Sequence, residues 1–216
     1  YLKIGLTKSA LDLFEEIEAW HDIIECCIGL GRKSKAESLI RARLEVGRTP
    51  RLLALLGDVN QDPAVWQEAW DLSLKENRPY PRAQRALARF KLDRKEYAEA
   101  IAHYKLALDI NPVLPAEWFA MGYAGMESQD FQTAVACFTR VVGLDPEYGE
   151  AWNNLAAAHM QLKNKSHRSE AFGALEQAVK FKYDHWRLWE NLLMAAMDVG
   201  EFQKAMTAME KVVQLK

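Results

Sequence analysis

Residues 115–148 read PAEWFAMGYAGMESQDFQTAVACFTRVVGLDPEY, and this stretch decides the fold. Its tryptophan, Trp118, is followed 34 residues later by Trp152, and Pro112 is followed by Pro146 at the same step. The small residues Ala100 and Ala134 keep that interval, as do the aromatic residues Tyr104 and Phe138. A period of this length carried by matching residue types describes one helical hairpin repeated along the chain. A single pair of helices cannot bury its own apolar stripe, so stacking on neighbouring pairs completes the core. Gly122 and Ala134 are the places where the two helices of the hairpin come close. No strand is predicted anywhere.

Trp118, Met121, Gly122, Ala134, Phe138, Val141 and Pro146 in register resemble the tetratricopeptide repeat (TPR). Working outward, residues 81–114 form a second such repeat. Residues 149–185 form a third, whose second half (Ala171, Leu175, Ala178) arrives three residues late, with the extra residues expected in the polar turn Lys163–Ser169. Residues 186–216 make a fourth repeat and 17–49 another. Residues 50–80 make a degenerate helical pair, Pro50–Val59 and Pro63–Ser73, and 1–16 is expected to hold the second helix of a truncated repeat. The predicted fold is an all-α, right-handed α-solenoid of about six TPR helix-turn-helix repeats in one continuous superhelical domain. The prolines agree: Pro50, Pro63, Pro81 and Pro115 suit a first helical turn, while Asn111-Pro112 and Asp145-Pro146 stop the preceding helices.

Composition bounds the function. Half of the 216 residues are hydrophobic and 27% are charged, which excludes wholesale disorder. A net charge of −2 argues against a dedicated nucleic-acid binder, and no apolar run is long enough to span a membrane. Only three cysteines occur, two of them adjacent (Cys26, Cys27), which points to a reducing compartment, cytoplasmic or nuclear. The chain starts at Tyr1, and the expectation is a piece of something longer.

Gly29-Leu30-Gly31-Arg32-Lys33-Ser34 lacks phosphate-loop spacing and reads as a helix end and turn. The five histidines show no i,i+4 pairing and no nearby cysteine, so no metal is expected, and His159 reads as a packed core histidine. No cofactor and no catalytic residues are expected, and the chain is read as not an enzyme.

Stacked hairpins create a groove lined by the first helix of each repeat, and such grooves bind peptides or helices. By register, the groove candidates are Arg82, Arg85 and Arg89, then Phe119, Tyr123 and Met126, then Asn153 and Asn154, then Arg187 and Asn191. Residues 81–114 carry net +3 and residues 115–148 net −4, so a basic stripe lies beside an aromatic patch. The Lys/Asn carboxylate clamp of chaperone-binding TPR domains is absent from both registers tested, which disfavours capture of a chaperone tail.

Non-consensus strings add a closer resemblance. Phe14-Glu15 with Trp20, Leu56-Gly57-Asp58, Arg82-Ala83-Gln84-Arg85, Trp189-Glu190-Asn191 and Asp198-Val199 resemble the tetratricopeptide repeat protein 27 family. That resemblance implies the C-terminal repeat region of a longer, non-catalytic adaptor. It also implies roles in fungal cell integrity and in assembling large protein or ribonucleoprotein complexes. The expected function is an interaction scaffold that binds a partner protein segment. The alternatives are the specificity arm of a larger enzyme whose catalytic domain lies elsewhere, or a purely structural spacer.

Overall fold

The computed structural model describes Phe14, residues 19–162 and residues 164–216, and among these every regular element is an α-helix. Twelve follow one another. They are α1 (Trp20–Gly29), α2 (Lys33–Val46), α3 (Pro50–Asn60), α4 (Pro63–Lys75), α5 (Pro81–Asp93) and α6 (Tyr97–Ile110). The rest are α7 (Pro115–Glu127), α8 (Phe131–Leu144), α9 (Gly149–Gln161), α10 (Lys165–Phe181), α11 (Trp186–Val199) and α12 (Phe202–Leu215). The helix expected over 1–16 lies outside the described residues, Phe14 excepted.

Local chemistry sets the boundaries. Pro50, Pro63, Pro81 and Pro115 each open a helix, where a missing N–H leaves nothing unsatisfied. Thr49, Asp62, Asp130 and Asn164 cap α3, α4, α8 and α10, each side chain accepting from a backbone N–H of the first turn. Helices α6 and α8 end immediately before Asn111-Pro112 and Asp145-Pro146.

Contacts divide the chain into two compact units, residues 1–93 and 94–216. In the first, each helix from α1 to α5 packs on the next, and α1 also touches α3, as α3 touches α5. Its interior holds Ile23, Ile24, Cys27, Ile40 and Leu55 in one cluster and Leu53, Ala69 and Trp70 in another. In the second unit, helices α6 to α12 pack in succession. Their core runs from Ala134 and Phe138 through Leu155, Leu175 and Leu192 to Ala208. Short connections make consecutive helices antiparallel hairpins.

Two features of the second unit explain its repeat signature. A methyl group at Gly122 would stand 2.9 Å from the Phe138 ring, and one at Gly125 would stand 3.0 Å from the Ala134 backbone nitrogen. The closest approach to Ala134 is therefore at Gly125, while Gly122 makes room for Phe138. The tryptophans bind as well as pack. Nε1 of Trp118, Trp152 and Trp189 donates to the carbonyl six residues upstream, on Pro112, Pro146 and Tyr183, at 2.8, 2.8 and 2.7 Å. Each ring thereby ties the connection before its helix to the helix itself.

The three extra residues of the 149–185 repeat do not lengthen the turn. The second helices of the other repeats in this unit, α6, α8 and α12, have 14 residues each, whereas α10 has 17. Asn164 caps α10 by accepting from the His167 amide at 2.9 Å, so the insertion continues as nearly one added helical turn. Once a cap is available, helical hydrogen bonds satisfy backbone groups that a longer loop would leave to water.

Candidate functional site

The basic candidates stand on α5. Arg82, Arg85 and Arg89 line a cleft of about 570 Å³ together with Ile28, Asp58, Gln61, Trp66 and Phe90, all in the first unit. Spacing on one helix face brings the three arginines together, as i,i+3 and i,i+4 neighbours must be. Their roles differ. Arg82 Nη1 donates to Glu25 at 2.8 Å and Nη2 to Asp58 at 3.0 Å, so its guanidinium bridges two carboxylates at the cleft's edge. Asp58 also accepts from Trp66 Nε1 at 2.9 Å, which fixes the indole that walls the cleft. Trp66 in turn meets Phe90 edge-on at 5.9 Å. The register did not single out Trp66 or Phe90; Trp66 lies in the degenerate pair, where no repeat position could be assigned.

The candidates of the second unit stand on α7, α9 and α11. Phe119 is half-buried, packed edge-on against Phe138 at 5.5 Å and stacked on Tyr148 at 5.2 Å. Met126 also packs on the core. Tyr123 is 44% exposed. Asn191 Nδ2 donates to Asn153 Oδ1 at 3.1 Å, joining α11 to α9 across 38 residues of sequence. Asn153 also donates to the half-buried Asn154 at 3.4 Å. Arg187 is exposed, its guanidinium 5.3 Å from the centre of the Trp186 ring. Met160 and Met194, on α9 and α11, are exposed as well.

A third grouping brings together residues that sequence spacing kept apart. Nδ1 of His159, on α9, lies 2.9 Å from Nδ1 of His167 on α10, and Glu170 Oε2 lies 3.1 and 2.8 Å from those two atoms. His159 is buried, as expected of a core histidine, and burial holds its imidazole below the ordinary value of 6.5 against the pull of Glu170. The signal in the sequence was the insertion itself, which carries His167 and Glu170 over the end of α9. Cysteine chemistry is quiet. Cys26, Cys27 and Cys137 are buried and free, and burial pushes the Cys137 thiol up to about 12.

Tetratricopeptide repeat family models match residues 67–115, 119–166 and 187–216, more than half of the chain. The chain belongs to the tetratricopeptide repeat family. It is 38% identical to a tetratricopeptide repeat protein 27 homolog of Dictyostelium discoideum over all of this chain and 24% of that protein. A TPR repeat-containing protein of Schizosaccharomyces pombe is 36% identical over all of this chain and 26% of its own length. The chain thus spans about a quarter of these relatives. In structure it resembles the C-terminal part of a TPR repeat-containing protein from Cytophaga hutchinsonii. The TM-score is 0.73 at 15% identity, covering all of this chain and 92% of that one. The all-α TPR fold and the resemblance to the protein 27 family both stand. TPR proteins are in general non-catalytic interaction scaffolds. No helix among the described residues is long and apolar enough to cross a membrane.

Proposed function

We propose that this tetratricopeptide repeat segment is a non-catalytic adaptor that holds a segment of a partner protein against the first helices of its repeats. The reading rests on the Asn153–Asn191 hydrogen bond. That bond joins α9 to α11, and Tyr123, Met160 and Met194 are exposed on the same series of helices. A side-chain amide has two N–H donors and an oxygen with two lone pairs. Two amides bonded to each other keep capacity for the alternating donors and acceptors of an extended peptide backbone, while the tyrosine and methionines accept its apolar side chains. The α5 cleft, with Arg85 and Arg89 beside Trp66 and Phe90, suits an acidic or aromatic residue of a partner. A chaperone carboxylate tail remains disfavoured, because the clamp residues are missing.

In this reading the adaptor works in the cytoplasm or nucleus, which three free thiols suit, and serves the assembly of larger protein or ribonucleoprotein complexes. The test is crosslinking and co-purification from cells with wild type and with Tyr123→Ala/Asn191→Ala. Both side chains are exposed, so the double variant keeps its fold, whereas Phe119→Ala would open the core. The expected result is a loss of most partner recovery. Full recovery by the double variant would overturn binding at this face.

A further inference from the structure

We propose that His159, His167 and Glu170 bind a divalent transition-metal ion of the zinc class at the turn between α9 and α10. Three atoms bearing lone pairs converge there: the two Nδ1 atoms 2.9 Å apart, and Glu170 Oε2 at 3.1 and 2.8 Å from them. Protons alone serve this triangle badly. With one Nδ1 protonated and donating to Glu170, the other ring turns a lone pair toward the carboxylate. With both protonated, two N–H groups face each other across 2.9 Å. One cation above the centre satisfies all three atoms at once.

The dimensions suit such an ion. At the usual zinc–nitrogen and zinc–oxygen distances of ~2.0–2.1 Å from each donor, it stands about 1 Å out of their plane. The angles at the metal are then close to 90°, and opening each donor pair by a few tenths of an ångström brings tetrahedral geometry. Two imidazoles and one carboxylate make a borderline donor set that favours zinc, cobalt or nickel over magnesium or calcium, which take oxygen ligands.

The frame around the donors is built. His159 is buried on α9, with its side chain 10% exposed. The Asn164 cap fixes the start of α10 and so aims His167, and Glu170 follows one turn later on the same face. Glu170 is half exposed and His167 about a quarter, so the outer coordination positions face solvent and take water. Ligation would staple the added turn of α10 to the end of α9.

The experiment takes the 216-residue chain, stripped with a chelator, and titrates it with Zn²⁺ by calorimetry. One equivalent is expected, with a rise in Tm. His167→Ala and Glu170→Gln, both at accessible positions, should each weaken binding at least ~10-fold and abolish that rise. A readout on wild type alone guards against a variant that misfolds. Zn²⁺ should shift the NMR ring signals of His159 and His167 and leave those of His21, His103 and His185 in place. No saturable equivalent, unchanged affinity in both variants, or shifts confined to the other three histidines would overturn the proposal.

Discussion

Single side chains in this protein act mostly by closing local backbone gaps. Trp118, Trp152 and Trp189 each spend an indole N–H on a carbonyl six residues upstream, so a repeat-defining residue also clamps the preceding connection. Asp130 works similarly at the start of α8. Its carboxylate accepts from the Thr133 amide at 3.1 Å and the Thr133 hydroxyl at 2.6 Å, and these bonds hold its pKa below the ordinary 3.8. Asp130→Ala should cost about 1 kcal/mol at pH 7. A carboxyl with a depressed folded pKa contributes stability above its unfolded value and loses it as pH falls through the folded one. Urea denaturation should therefore show the gap between wild type and Asp130→Ala closing below about pH 4 and staying constant from pH 5 to 8. A gap independent of pH would assign the effect to something other than the charged cap.

Pairs of elements depend on how closely their backbones approach. Helices α7 and α8 meet where Gly125 faces the Ala134 backbone and Gly122 faces the Phe138 ring, and Ala134 and Phe138 are fully buried. Phe138→Ala should cost ~3–5 kcal/mol by leaving a cavity. Ala134→Arg should cost at least ~2 kcal/mol by overpacking and burying a charge. Thermal unfolding followed by circular dichroism checks both, and a Tm within a degree of wild type for either would contradict this packing. Helix α10 makes a related point about insertions: three residues joined it as a turn because Asn164 could cap the new start. That turn places His167 and Glu170 beside His159.

The whole chain is nearly neutral, but its charge is sorted into blocks. Residues 81–114 carry net +3 and 115–148 net −4 within an overall −2. Exposed charges separated by more than a Debye length, about 10 Å at 0.1 M salt, are screened. If the α5 cleft supplies attraction for an acidic segment, partner capture should fall severalfold between about 50 and 500 mM NaCl. Arg89→Glu should flatten that dependence, because it reverses the charge of an exposed side chain that lines the cleft. Binding measured over a salt series with both proteins decides this. A wild-type curve that does not change with salt would remove the basic cleft from recognition.

The sequence by itself determined the architecture. The period of Trp118 and Trp152, and of Ala134 and its counterparts, is written in residue types that only stacked hairpins require. Pro50, Pro63, Pro81 and Pro115 marked four of the helix starts, since a fixed φ and a missing N–H act locally. The candidate face was legible in part. Register placed Asn153 and Asn191 on equivalent helices, yet only packing showed that they touch, and that Phe119 turns its ring into the core. Left-handed backbone at Lys95 and Gln129, both with φ of 62°, was hidden because neither residue type announces that conformation. The His159, His167 and Glu170 cluster was equally hidden. Periodicity reports which residues face a common core, whereas convergence of three polar atoms depends on where an inserted turn ends and how two helices lie against each other. Those are distances in space, and only the tertiary structure sets them.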